Sequence, residues 1–227
     1  MKSSHKLLLL AVTVMLTFAC QIRPVSDIEI IARSRQNMAA IDSYHMGMDV
    51  SATTQGMTIT IQTDGVVQMP DQSYMTMTML GQQFELLVLG PAEMYMRQAG
   101  TSDWIPISPA AASQANVRPN AAGELALLEF VTNLRREGNE TIDGVECYHL
   151  VMDVDTQKAI ALSSPEMAGQ VEPGSTPATM QMWTGTRDFL IRKITLDMSL
   201  AMQGTEMSMG LTITFSNFDE PVEIPRP

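Results

Sequence analysis

Cysteine, histidine and basic side chains are scarce in this chain, and each shortage closes off a class of function. Two cysteines permit at most one disulfide, so the fold must rest on an apolar core rather than a covalent framework. Three histidines, one of them His5 near the start, offer little to a histidine-based metal or catalytic centre. Lys and Arg number 14 against 25 Asp and Glu, a net charge of −11. So acidic a chain repels a phosphate backbone, which argues against nucleic acid as a partner. No Gly-x-Ser-x-Gly, His-Glu-x-x-His or phosphate-cradling glycine loop occurs. No catalytic residue, metal ligand set or cofactor is therefore expected, and the chain does not read as an enzyme. Hydrophobic residues make up 45% and charged residues 17%, the balance of a globular protein with a core.

A long hydrophobic run is also missing. The most apolar stretch, residues 7–18, is too short to span a bilayer comfortably. It follows Lys2 and Lys6 and ends at Ala19-Cys20, the order of a positive segment, an apolar segment and a small residue before cysteine. This resembles a bacterial lipoprotein signal, although Leu16 stands one place further from Cys20 than the usual pattern has it. The expectation is a signal peptide over 1–19, a lipidated Cys20 with a tether over 20–25, and one domain over 26–227. Acyl groups such as palmitate on Cys20 would anchor the protein to the outer face of the cell membrane, or to the periplasmic side of an envelope membrane. Removal of Lys2 and Lys6 leaves 12 basic residues against 25 acidic, a net of −13. Cys147 then has no partner within the chain and reads as a small buried residue.

What the chain has in abundance is alternation. Ile194, Leu196, Met198, Leu200 and Met202 alternate with polar neighbours, as do Met207, Met209, Leu211, Ile213 and Phe215. With a turn at Gln203-Gly204 between them, they form a hairpin with one dry face. The same period runs through Tyr44–Ala52, Met57–Ile61, Met75–Met79, Phe84–Val88, Met94–Met96, Tyr148–Val154 and Met180–Met182. Gln55-Gly56, Asp64-Gly65, Pro70-Asp71, Gly81, Gly90-Pro91 and Asp143-Gly144 read as turns or interruptions. Ser26-Asp-Ile-Glu29 has capping-box spacing and opens a helix over about 27–40 with Ile28, Ile31, Met38 and Ile41 on one face. Two helices are expected between 109 and 134, the longer carrying Leu125, Leu128, Val131 and Leu134. Strands resume over 137–142. A short helix over 156–163 capped by Asp155, and a loop over 164–177, complete the pattern. The fold class is α+β: a single curved antiparallel sheet with helices covering its concave face.

Methionine accounts for 20 residues and recurs on the dry side of these strands as Met-x-Met. Three readings stay open: flexible core filler, the wall of a cavity for variable alkyl chains, and a soft-metal site for copper. Against copper, His45 and His149 alternate away from the methionines. The positions expected to line a space between sheet and helices are Met46, Met48, Met57, Ile59, Met75, Met77 and Met79. To these are added Phe84, Leu86, Met94, Met96, Leu150, Met152, Met180, Met182, Leu196 and Met198, with Leu125, Leu128 and Val131 of the middle helix facing them. Asp153 and Asp155, paired acids at a strand end, read as a solvated terminus.

Over nearly the whole mature chain, and most strongly from Gly144 onward, the order of elements resembles the LppX/LprG family of bacterial lipoproteins, related to the LolA-like lipoprotein carriers. The residues that carry the resemblance are Val145–Asp155, Met182-Trp-Thr-Gly185, Leu190–Leu196 and the closing Thr214–Ile224. The resemblance implies a half-open barrel with helices across its mouth and an apolar cavity that takes lipid acyl chains. The expected function is thus a membrane-anchored lipoprotein that binds or carries lipid or another acylated molecule. A ligand-free sensor or interaction domain at the cell envelope, engaging an unidentified envelope protein, is the competing reading.

Overall fold

Side chains on a strand alternate between faces, so strands with one apolar side must pair in the register that gathers those sides together. The computed structural model describes residues 25–108, 125, 128, 130–155, 157–158, 178–202 and 205–227. The signal segment, Cys20, most of its tether, the helix from 109, most of the 156–163 helix, the 164–177 loop and the Gln203-Gly204 turn lie outside the described residues.

Helix α1 spans Asp27–Ala39. Ser26 caps it by accepting a hydrogen bond from the Glu29 amide at 3.3 Å, and Asp27 and Glu29 place negative charge on its first turn. Its buried stripe is Ile30, Ile31, Ser34 and Met38. The sequence expectation put Ile28 in that stripe; Ile28 is instead 76% exposed. The stripe centres on positions 30, 34 and 38, and the polar member, Ser34, hid it. Its hydroxyl meets Thr184 Oγ1 at 2.9 Å and bonds the Ile30 carbonyl, which satisfies it in the interior.

Strands β1 (Ser43–Thr54), β2 (Met57–Gln68), β3 (Gln72–Met79), β4 (Gln82–Gly90), β5 (Glu93–Gln98) and β6 (Ile105–Ile107) follow. Strands β7 (Val131–Ile142), β8 (Val145–Val154), β9 (Ala178–Gly185), β10 (Ile191–Met202) and β11 (Thr205–Ser216) complete the described set. All pair antiparallel in one open sheet of order β6-β5-β4-β3-β2-β1-β11-β10-β9-β8-β7. Two meanders are thus joined edge to edge where β1 meets β11. The β1–β2, β3–β4 and β7–β8 turns are Gln55-Gly56, Leu80-Gly81 and Asp143-Gly144. Each holds two successive residues at positive φ, the geometry of tight two-residue hairpins.

Three expectations are corrected. Asp64-Gly65 is no turn: both residues lie inside β2. A Cβ at Gly65 would collide with the Tyr74 carbonyl and sit 2.7 Å from the Met75 Cα, so glycine is there to let β3 approach. Val131 and Leu134 are not helical but belong to β7, which also starts earlier than the expected 137. The register shift between Thr132 and Arg135 sets two residues, 133 and 134, opposite Met152. Such a bulge returns Leu134 to the face of Val131, so a spacing of three imitates a helix. Finally, Ile105–Ile107 adds an edge strand that had no alternation long enough to notice. Leu125 is helical and Leu128 lies in a 3-10 turn, and Leu128 is buried in the main core.

Candidate functional site

The hydrogen-bond register draws continuous rows of apolar side chains across the sheet. One row of direct partners runs Phe84, Met77, Thr63, Met48, Ile213, Ile194, Met182, Leu150, from β4 through β8. The next runs Gln82, Met79, Ile61, Val50, Leu211, Leu196, Met180, Met152. A third joins Met96, Leu86, Met75, Gly65, Met46 and Phe215. Direct partners share a face, so the expected parity holds: Met46, Met48, Met75, Met77, Met79, Phe84, Leu86, Met94, Met96, Leu150, Met152, Met180, Met182, Leu196 and Met198 lie on one side of the sheet.

Burial along these rows is graded. Leu150 and Met182 are fully buried and Ile194 is 1% exposed; then Met48, Thr63, Met77 and Phe84 are half-buried. In the second row Met152, Met180 and Leu196 are buried, whereas Leu211, Val50, Ile61 and Met79 are half-buried. Helix α1 packs into the core cluster of the closed end. Ile30, Ile31 and Met38 share one core cluster with Tyr44, Leu150, Met152, Met180, Met182, Ile191, Ile194, Leu196, Ile213 and Phe215. Arg136 fastens the helix there, donating to Asp27 Oδ1 at 2.6 and 2.9 Å and to the Val25 carbonyl at 2.6 Å. Beyond β11 the first two rows open, whereas Tyr44, Met46, Val67 and Met75 of β1–β3 stay buried in that same core cluster. Met57 and Ile59 are exposed, and Met94 packs in a small separate cluster with Val88, Leu86 and Ile107.

Apart from Met94 in its separate cluster, the candidate residues therefore fall into three groups. Met46, Met75, Leu128, Leu150, Met152, Met180, Met182 and Leu196 are core. Met48, Met77, Met79, Phe84, Leu86, Met96, Leu125, Val131 and Met198 are partly open, and Met57 and Ile59 are the outermost. Val50, Ile61, Met209 and Leu211 complete the open face and were not among the candidates, although their parity alone identifies them. Thr63 and Gly65 lie on it without any apolar signature.

The opposite face is mostly polar and internally paired, with Leu87, Val151 and Cys147 buried within it. His45 Nε2 lies 3.3 Å from Asp64, and His149 bonds Glu140 at 2.8 Å and Gln181 at 2.9 Å, so both histidines stand away from the methionines. Trp183 stacks on His149 with centroids 4.4 Å apart and donates to Glu140 at 2.9 Å. Arg97 pairs with Glu85 and lies 4.2 Å over the Trp104 ring. Burial, with the Glu85 charge beside it, pushes the Tyr74 phenol above its ordinary range. Cys147 is buried and unpaired, and desolvation pushes its thiol up, away from reactive thiolate. A cavity of about 400 Å³ also opens on this side, lined by Ser51, Thr53, Thr179, Asp197, Ser199, Ser208 and Gly210 with Met198 and Met209. Its hydroxyls and carboxylate suit water, not hydrocarbon. Among the described residues no three His, Cys, Asp or Glu side chains gather as metal ligands. No helix among them is long and apolar enough to cross a membrane.

A family model described as LppX_LprAFG lipoprotein matches residues 27–224. Comparison with curated proteins finds no match. Among solved structures, lipoprotein LppX of Mycobacterium tuberculosis superposes with a TM-score of 0.61 at 18% identity, over 88% of this chain and 100% of that one. LprF of Mycobacterium bovis gives 0.56 at 16% identity, over 88% and 96%. At such identities the likeness establishes the fold. A LolA superfamily protein from Nitrosomonas europaea aligns over 89% and 98% at 11% identity, but its TM-score of 0.31 carries no further argument.

Proposed function

Because the chain belongs to the LppX_LprAFG lipoprotein family, we propose that it is a cell-envelope lipoprotein that binds the acyl chains of a lipid or acylated molecule on the open half of its apolar sheet face. The observation that carries this reading is the gradient of burial: the same rows that are sealed at β8–β10 are left half-open at β1–β4, in partners of the same chemistry. An acyl chain laid there gains about 0.8 kcal/mol per buried CH2. About ten methylenes would supply roughly 8 kcal/mol, of the same order as the roughly 4–15 kcal/mol lost in ordering the complex, and a longer or second chain adds to it. Methionine suits such a wall because its unbranched thioether adapts to chains of different length.

In this reading residues 26–227 form one domain, a half-open barrel whose helices, α1 among them, cover the concave side. Residues 1–19 are the signal peptide and residues 20–25 the tether, with acylated Cys20 holding the protein at the outer face of the membrane. The protein binds and carries rather than catalyses: His45, His149, Glu140, Glu85, Arg97, Tyr74 and Cys147 lie on the face away from the proposed ligand, and the Arg136–Asp27 pair is engaged in holding α1. Native mass spectrometry after gentle purification tests this. The expected result is a co-purifying species with the mass of one or more lipids. A chain that emerges bare, and stays bare after incubation with phospholipid and fatty acid, would sink the reading in favour of a ligand-free interaction domain. A mass increment of copper would replace it with the soft-metal alternative.

A further inference from the structure

We propose that the end of the sheet formed by the β1–β2 and β3–β4 hairpins is a membrane-docking rim, resting on a phospholipid bilayer and passing acyl chains to the apolar face. Resting on the lipid-binding reading above, it deepens that reading by locating the point of entry.

The two ends of the sheet differ sharply in charge. At one end lie Asp42, Asp71, Glu93, Asp143, Asp188 and Asp219, each in or beside a turn or strand terminus. At the other end the β1–β2 hairpin has no Asp, Glu, Lys or Arg from Val50 to Ile61, and the β3–β4 hairpin has none from Gln72 to Phe84. An acidic protein meets an anionic bilayer surface without repulsion only through a surface that lacks carboxylates. Among the described residues Asp103, in the β5–β6 connection beyond the two hairpins, remains exposed at this end, and the other carboxylates are turned elsewhere. Asp197 and Glu206 alternate onto the polar face, and Asp153 and Asp155 end β8 in the other half, held by Asn133 at 2.8 Å and Lys158 at 3.1 Å.

The uncharged end also carries exposed hydrocarbon. Met57 is 68% exposed, Ile59 40% and Leu80 76%, three of the five large apolar side chains so exposed among the described residues. Leu80 is held at φ +51 as the first residue of its tight turn, a position usually given to glycine or asparagine. Met57 and Ile59 continue the apolar face outward, partnered by Thr54 and Ala52, so hydrocarbon runs unbroken from the rim to the half-open rows. Ile61 pairs with Met79, which sets the β3–β4 turn four residues, or about 13 Å, behind the β1–β2 turn. Strands inclined as in a barrel bring such a stagger to one rim.

The test uses the full-length chain with single substitutions Met57→Cys, Leu80→Cys and, at the acidic end, Asp143→Cys. Each carries an environment-sensitive fluorophore, with the unsubstituted chain as background. Vesicles are phosphatidylcholine with one quarter phosphatidylglycerol and a doxyl-labelled lipid as quencher. Quenching at 57 and 80 but not at 143 is expected. Leu80→Glu, at a turn position outside the candidate lining, should slow transfer of a fluorescent acyl lipid from vesicles by roughly tenfold, because the exposed side chain loses its burial in the interface. Thermal midpoint and lipid bound after detergent loading should not change. Absence of quenching at 57 and 80 in a chain that holds lipid, or quenching at 143 instead, overturns the rim and leaves lipid binding standing. Quenching at the rim of a chain that binds no lipid keeps the docking surface and removes the carrier function.

Discussion

Two tryptophan substitutions on the same face, Met182→Trp and Met77→Trp, should behave in opposite ways. Met182 is fully buried between Ile194, 1% exposed, and Leu150, fully buried. An indole there must displace packed neighbours, at a cost of about 1–3 kcal/mol or more. For a domain of this size each kcal/mol moves the melting midpoint by about 2–4 °C, so a fall of roughly 2–12 °C is expected. Met77 belongs to the same row but is half-buried between Thr63 and Phe84. An indole at 77 enters open space, so its midpoint should stay within about 2 °C of the parent, the range of changes away from packed sites. The same indole occupies the surface proposed for an acyl chain and should abolish uptake of a fluorescent fatty acid. Differential scanning fluorimetry and a fatty-acid titration on the two variants and the parent decide the matter. If Met77→Trp melts as early as Met182→Trp, the β3 face is filled core and the argument from graded burial fails. If it melts like the parent and still takes up fatty acid, the ligand lies elsewhere.

Cys20→Ser should move the protein from the membrane to the soluble fraction, and retention of the variant with no acyl group on the parent would refute the anchor. Gly65→Ala forces a Cβ into the Tyr74 carbonyl and within 2.7 Å of the Met75 Cα; a loss of at least about 2 kcal/mol is expected by urea denaturation. Arg136→Ala removes the partly exposed ion pair to Asp27 and the bond to the Val25 carbonyl. It should cost about 0.5–1.5 kcal/mol and raise amide exchange in the first turns of α1, while leaving exchange in β3 unchanged. Cys147, buried with its thiol pushed up, should resist a maleimide at neutral pH until the chain is unfolded; rapid native labelling would contradict its placement.

Most of the sheet is legible in the sequence because one physical rule, a two-residue period with one dry side, acts on every strand. Tyr44–Ala52, Met75–Met79 and Met207–Phe215 could be assigned to a face from parity alone, and the register confirms them. What parity does not encode is depth. Met77 and Met182 carry the same side chain in the same kind of pattern, yet one is half-open and the other sealed, because burial is set by which distant element lies overhead. Helix α1 reaches β9, the β9–β10 turn and β7 through Ser34, Asn37 and Asp27, polar contacts that no hydrophobic pattern announces. Local exceptions misled in the same way. Asp64-Gly65 carries turn chemistry but serves a close strand approach, and the bulge near Asn133 gave Val131 and Leu134 a helical spacing inside a strand.

The pairing of β1 with β11 has a consequence for how the chain comes together in time. His45 faces Ser216 across that seam, and Thr54 faces Met207, so the contacts joining the two meanders span most of the chain. A chain emerging from its N-terminus, in synthesis or in export, completes β1 long before β11 exists. Until then β1 presents a bare edge, with its row of apolar side chains, to any neighbour that can add a strand. Contacts so far apart in sequence also slow the closing step. The last strand out therefore functions as the lock on the sheet. A chain cut short before Thr205 would expose that edge indefinitely, which makes truncation a greater hazard for aggregation than any substitution at the rim.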